Sequence, residues 1–201
     1  MICGFIIPSR KRFDRLLRTI ESIHRSARDM SEVEILVKFD YDDDEASERF
    51  LELSKFTNTR LFFDRRCEHE NMTGYASISQ AYNRLMRLSE ARWLWMFNDD
   101  CLLEGDWQTE LEELPSERNY VHPWRIQTRV DNWYDENPIG PFPVIRKADF
   151  DWTKDRDTIR DPIDADIVKI YQLKGEPPAF LHGVIVTHER DEDSILALHR
   201  I

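Results

Sequence analysis

The stretch "RWLWMFNDDCLLEGDW", residues 92–107, decides how the chain folds. Trp93 to Phe97 run without a polar break straight into Asn98, Asp99 and Asp100. A continuous apolar run of this length predicts a strand covered on both faces, as in a parallel α/β sheet. The adjacent acids at its end have two readings. A surface turn and a helix N-cap would each use one of them. A cation site at the end of a buried strand would also suit them.

Working outward, "ICGFIIP" (residues 2–8) reads as a buried strand ended by Pro8, after which Ser9 is placed to cap a helix through "RKRFDRLLRTIESIHRSA". Phe13, Leu16, Leu17, Ile20 and Ile23 recur there at helical spacing. "VEILVKFD" (33–40) is a second strand, "ASERFLELSKF" (46–56) a short helix and "TRLFFD" (59–64) a third strand. "ASISQAYNRLMRLSE" (76–90) is a helix with Ile78, Tyr82, Leu85 and Met86 on one face. Four strand–helix alternations with short connections predict a parallel sheet built from right-handed crossovers. Ligands in such sheets bind beyond the carboxyl ends of the strands. Pro8-Ser9-Arg10, Asp40 to Asp44 (with Asp42 among them) and Asn98 to Asp100 all fall there.

From about residue 115 the pattern changes to a segment rich in aromatics, Pro and Gly, with short strand-like runs at 120–126 and 143–147. "DPIDADIVKIYQLKG" (161–175) is a helix with Pro162 near its start and Gly175 as its stop, and "PPAFLHGVIVTHE" (177–189) a last strand. With no repeat and no linker, residues 1–201 are expected to form one α/β domain in two halves, about 1–105 and 106–201.

The 201 residues, 41% hydrophobic and 33% charged, describe a globular chain able to build a substantial core. A net charge of −11 argues against nucleic acid as a partner, since phosphate neutralisation calls for a basic surface. Cys3, Cys67 and Cys101 are widely spaced, odd in number and outside any ligand motif. That usage suits reduced thiols, and with no run of membrane-spanning length the expected location is the cytoplasm.

Aspartates gathered at a sheet edge suit a hard divalent cation, Mg²⁺ or Mn²⁺, which prefers oxygen ligands and often bridges phosphates. For Asp43, Asp44 and Glu45 the competing reading is an acidic helix start. Asp40, where the strand stops, is less easily explained that way.

Taken in order, "PSRKR", "KFDYDDDEA", "QAYNRLM", "WLWMFNDD" and "DADIVKIYQLKG…VTH" resemble the family-2-type glycosyltransferases of GT-A fold, over about residues 3–188. The resemblance implies a single Rossmann-like GT-A domain with a mostly parallel central sheet flanked by helices. It also implies a nucleotide-sugar-binding first half and an acceptor and catalytic second half. It places Pro8, Ser9, Arg10, Asp40 and Asp42 around the nucleotide. Asn98, Asp99 and Asp100 match the D-x-D motif, with Asn98 and Asp99 toward the donor and Asp100 on the metal, Mn²⁺ or Mg²⁺. Asn98 stands where the family has Asp. His188 matches the late metal-binding His. The family's catalytic Asp lies eleven residues before the helix-stopping Gly, which gives Asp164, with Ile163 in place of the usual Glu and Asp161 and Asp166 as rivals.

The implied activity is metal-dependent, inverting transfer of a sugar from a nucleotide-diphosphate donor to a hydroxyl of a glycan or small molecule. Trp124, Trp133 and Tyr134 are candidates for an acceptor platform, with core packing as their alternative. A nucleotidyltransferase would carry a Gly-rich phosphate loop where this chain has "IIPSRKR". A degenerate binding or scaffolding module of the same fold is the other alternative, left open by Asn98 and Ile163.

Overall fold

The computed structural model describes residues 1–65, 74–128, 134–136, 142–148 and 163–189, with the backbone alone at 74–77, 128, 134–136, 163–166 and 168. In chain order the elements are β1 (Cys3–Pro8), α1 (Phe13–Ser26), β2 (Val33–Asp40), α2 (Asp44–Arg49), β3 (Thr59–Asp64), α3 (Gly74–Leu88) and β4 (Trp93–Met96). There follow β5 (Cys101–Glu104), α4 (Trp107–Glu113), β6 (Tyr120–Thr128), β7 (Tyr134–Glu136), β8 (Val144–Arg146), α5 (Ile163–Leu173) and β9 (Phe180–His188). The strands form one sheet in the order β3-β2-β1-β4-β8-β6-β9-β5, with β7 paired to β6. Strands β3, β2, β1 and β4 are parallel throughout. Antiparallel pairing enters with β8 and recurs at β7 and β5. This is the α/β class that the strand–helix alternation predicts.

The unbroken apolar runs have a physical reason. Side chains alternate across a strand, so a run stays apolar only when both faces are covered. Cys3, Phe5 and Ile7 of β1, Val33 to Phe39 at odd positions of β2, and Trp93, Trp95 and Phe97 fill one core with α1 and α4. Ile6, Leu36, Leu94 and Met96 fill the other, with Tyr82, Leu85 and Met86 of α3 and Ile167 and Tyr171 of α5. Within the first core Phe5 stacks on Trp95 at 5.1 Å and meets Trp107 edge-on at 5.2 Å. The start of β4 is set by Glu34, whose buried Oε1 accepts the N–H groups of Glu90 (2.6 Å) and Ala91 (3.0 Å).

Three local expectations are corrected. Ser9 does not cap α1: the N-cap is Arg12, and the Ser9 hydroxyl turns to Asp99 instead. The helix expected at 46–56 starts earlier, at Asp44, capped by Asp43, and ends as a 3-10 turn at Phe50–Glu52. Asp43 thus takes the helix-start role. Most consequentially, the stretch 92–107, expected to supply one strand, holds a second one, β5. It lies at the sheet's edge, antiparallel to β9, with Cys101 opposite His188.

An edge strand needs partners for its outer N–H groups. Here α1 supplies them: Thr19 Oγ1 accepts from Cys101 N (3.2 Å) and Ser22 Oγ from Leu103 N (3.0 Å). That explains why two hydroxyls sit on the buried face of an otherwise apolar helix stripe. Gly105, just after β5, has φ +105°, and a Cβ there would meet the Gly183 carbonyl oxygen at 2.1 Å. Gly105→Ala is therefore expected to cost about 2–3 kcal/mol, from a left-handed backbone and a clash that only a backbone shift relieves. Urea unfolding measures it; an unchanged midpoint would contradict this close approach of β5 to β9.

Candidate functional site

The carboxyl ends of β1, β2 and β4 meet in one place, and each residue of the loop after β1 faces an acid from a neighbouring strand end. Pro8 lies opposite Lys38, and Ser9 N donates to the Lys38 carbonyl at 2.9 Å. The Ser9 hydroxyl donates to Asp99 Oδ2 at 2.8 Å. Arg10 bridges Asp40 (2.7 Å) and Asp42, which it grips with two nitrogens at 2.6 Å each. Lys11, with φ +53°, donates its backbone N–H to Asp43 Oδ2 at 2.6 Å. Arg12 Nη1 lies 3.0 Å from Asp100 Oδ2 and 3.5 Å from Asp99 Oδ1. A loop with so many cross-links is preorganised by its acids, which is what the basic run "SRKR" is for.

Asp40 is buried, and both its oxygens are engaged, Oδ2 by Arg10 and Oδ1 by the buried Lys38 ammonium. The alternation of β4 runs on past its end. Asn98 turns to the α3 side, where Tyr82 Oη reaches its side-chain oxygen at 3.1 Å and the Phe97 carbonyl at 2.9 Å. Asp99 turns to the α1 side. Its carboxyl is raised to about 6, first by burial and then by the charge of Asp100, with Arg12 and Ser9 opposing. Burial pushes Asp100 the same way. The His188 hydrogen bond and charge, with Arg12 and Arg15, outweigh it and hold Asp100 below the usual carboxylate range.

The β5–β9 pairing brings distant residues together: Glu189 N donates to the Asp100 carbonyl (2.7 Å), and His188 Nε2 lies 2.9 Å from Asp100 Oδ1. Phe142, at φ +53°, stands edge-on to the His188 ring at 5.8 Å and packs on Phe97. The ligand atoms of Asp100, Cys101 and His188 lie within 4.8 Å of one another. Two adjacent ligands of an octahedral Mg²⁺ or Mn²⁺, each about 2.1 Å from the ion, are separated by roughly the Asp100–His188 spacing. This pair fits such an ion, with an oxygen and an imidazole nitrogen. Cys101 does not: its thiol is fully buried in the core, burial and the neighbouring acids hold it protonated, and a soft donor suits neither ion.

Asp164 is the second residue of α5, and Asp166 lies on the same helix; their side chains, and all of Asp161, fall outside the described residues, as do Cys67, Trp133 and Pro162. Trp124 on β6 is half-buried and packs on Phe180 and on His182 at 4.7 Å. Tyr134 on β7 pairs through its backbone with Gln127. Lys38, Tyr82 and Phe142 are site residues that sequence reasoning did not assign. Arg12, in the basic run beside a strand end, reads from sequence either as facing a diphosphate from a helix N-terminus or as a solvated helix start. Among the described residues no helix is long and apolar enough to cross a membrane.

No curated protein matches the chain. Solved structures with a similar fold include residues 1–349 of S. aureus TarS, at 10% identity and a TM-score of 0.72 over 94% of this chain. The same protein in complex with UDP-GlcNAc matches at 12% identity and 0.70 over 96%, and with UDP at 11% and 0.71 over 93%. The chain spans about 60% of the length of those TarS structures. The sequence pattern of Glycosyl transferase family 2 matches residues 5–169. With that match covering most of the chain, this protein belongs to glycosyl transferase family 2.

Proposed function

We propose that the chain transfers a sugar from a nucleoside-diphosphate donor to an acceptor hydroxyl, with inversion, using Mn²⁺ or Mg²⁺ held by Asp100 and His188. The observation that carries this reading is the Asp100–His188 pair at 2.9 Å, set beside the Pro8–Arg12 loop at the sheet's carboxyl edge. Family membership supports it, as do the UDP and UDP-GlcNAc complexes of TarS, a protein of similar fold.

In this reading Pro8, Ser9 and Arg10 shape the nucleotide's seat, with Asp40 and Asp42 fixing Arg10 and presenting remaining lone pairs to the base. Asn98 and Asp99 border the diphosphate. When bound, the divalent ion neutralises charge developing on the leaving diphosphate. Asp164 accepts the proton of the attacking hydroxyl, with Asp161 and Asp166 as rivals for that role. Trp124, Trp133 and Tyr134 border the acceptor, a glycan or small molecule. The first half of the chain, to about residue 105, holds the donor and the second half the acceptor. Two free, buried thiols, Cys3 and Cys101, suit a cytoplasmic location.

A thermal-shift panel of UDP, GDP and CDP, each with and without Mn²⁺, tests the reading. One nucleotide should raise stability, and more so with the ion; no response to any would overturn it. Hydrolysis of the matching nucleotide sugar then separates an enzyme from a binding module without turnover. The second reading draws on Asn98, held by Tyr82 where the family's first acid would stand.

The same assay probes Asp40. Asp40→Asn should weaken the nucleotide about tenfold while leaving the preference among ions unchanged, since one hydrogen bond to a charged group is worth about 1.5–3 kcal/mol. Asn removes the charge but keeps one acceptor oxygen for Arg10 or Lys38, whereas Ala would leave both cations without their bond to residue 40. Unaltered nucleotide affinity would make Asp40 a purely internal anchor for the loop.

A further inference from the structure

Arg12 stands in an unusual place for a cation beside a metal ligand. Its backbone is fixed: as N-cap of α1 its carbonyl accepts from Arg15 N and Leu16 N, each at 3.0 Å. The preceding Lys11 is tied to Asp43. The side chain is not so held. It is 42% exposed, and it borders an open surface pocket of about 320 Å³ lined by Lys11, Phe13, Asp14, Arg15 and Glu45. Its guanidinium reaches Asp100 Oδ2 at 3.0 Å, while His188 takes the other oxygen of the same carboxylate. Both oxygens of the candidate metal ligand are thus occupied within the chain itself.

We propose that Arg12 is a displaceable counter-cation that closes Asp100 to divalent ions until a nucleoside diphosphate draws its guanidinium away, so that ion and donor bind together. This rests on the reading of Asp100 and His188 as the metal pair. A divalent ion approaching Asp100 meets a fixed positive charge on the same carboxylate and must compete with it. Diphosphate oxygens offer a guanidinium a bidentate partner, whereas here a single nitrogen, Nη1, is divided between Asp100 Oδ2 and the more distant Asp99 Oδ1. Release of Arg12 toward the diphosphate frees Oδ2 while the charge stays in the site. The exposure of the Arg12 side chain and the open pocket it borders leave it unpacked on that side. Linkage then makes each ligand tighten the other by the same factor.

The experiment is Mn²⁺ binding, followed by electron paramagnetic resonance, to the wild type, Arg12→Ala, Arg12→Gln and Asp100→Ala, each with and without UDP. Circular dichroism confirms folding; Gln removes the charge while keeping a side chain of similar reach. Both Arg12 variants should bind Mn²⁺ alone about tenfold tighter than the wild type, from relief of a like charge a few ångströms away. UDP should enhance Mn²⁺ binding by a larger factor in the wild type than in either variant. Equal or weaker Mn²⁺ binding by the Arg12 variants, while the wild type still binds through Asp100, overturns the role of Arg12 alone. If the wild type with UDP binds Mn²⁺ no better than Asp100→Ala, the metal reading falls, and this proposal with it.

Discussion

Asp100→Ala is expected to abolish the Mn²⁺-dependent part of stabilisation by nucleoside diphosphate and to leave the fold intact. At a ligand concentration of 100 Kd the whole stabilisation by nucleotide and ion amounts to about 2.7 kcal/mol, of which the ion-dependent part is the difference measured with and without Mn²⁺. The fold should survive because the structural bonds of residue 100 are made by its backbone. Its carbonyl accepts from Glu189 N at 2.7 Å, and β5 stays paired to β9 from the next residue on. The side chain's partners are the partly exposed Arg12, the ring of His188 and, at 3.8 Å, the thiol of Cys101, a weak donor that the core packs as a small apolar group. His188→Ala should weaken the ion less, since Asp100 and the diphosphate oxygens remain as ligands. A full metal-dependent shift in Asp100→Ala would return this acid to the role of an anchor for Arg12. An unchanged ion affinity in His188→Ala would leave His188 as packing for Phe142.

The parts of this molecule legible from sequence are those where local pattern and final environment agree. The runs Cys3–Pro8 and Trp93–Met96 are apolar throughout, and Val33–Asp40 is apolar but for Glu34, Lys38 and Asp40, because helices cover both faces of the sheet, so each run announces a buried parallel strand. Their acidic ends could be placed on one edge for the same reason. What escaped notice depends on partners distant in the chain. "CLLE" is too short to declare itself a strand; it becomes one because β9 pairs on one side and hydroxyls of α1 close the other. Without β5 no local signal brings His188 to Asp100, and only the order of motifs linked them. Ser9 likewise has the residue type of a helix cap, but Asp99, ninety residues away and buried, is the acceptor for its hydroxyl, and the helix begins later. Arg12 has the look of a solvated helix start; its charge is set to work only by strand ends gathered from elsewhere.

Asp164→Asn should fold normally, bind nucleotide and Mn²⁺ normally, and lose sugar transfer by roughly 10²–10⁴-fold, the usual worth of a general base. The structure makes the first expectation firm. Helix α5 is anchored by Ile167 and Tyr171, both fully buried. Tyr171 stacks on Tyr120 at 4.5 Å with planes 6° apart, and its hydroxyl donates to the Asn119 carbonyl at 3.3 Å. The helix closes at Gly175, φ +73°, with Glu176 N bonded to the Tyr171 carbonyl at 3.0 Å. None of these contacts involves residue 164. If Asp164 served only to cap the helix start, Asn would replace it with little loss, because Asn caps nearly as well. Asn has no basic carboxylate, so a proton-accepting role would not survive the change. Helical spacing separates the rivals. Position 164 shares a face with 167 and 171, the face that meets the sheet, whereas position 166 lies about 200° around the helix. Turnover of Asp164→Asn with a working acceptor, beside Asp166→Asn and Asp161→Asn, decides among them. Near-normal turnover in Asp164→Asn moves the base to whichever variant fails, and if none fails, transfer proceeds without a carboxylate base from this segment.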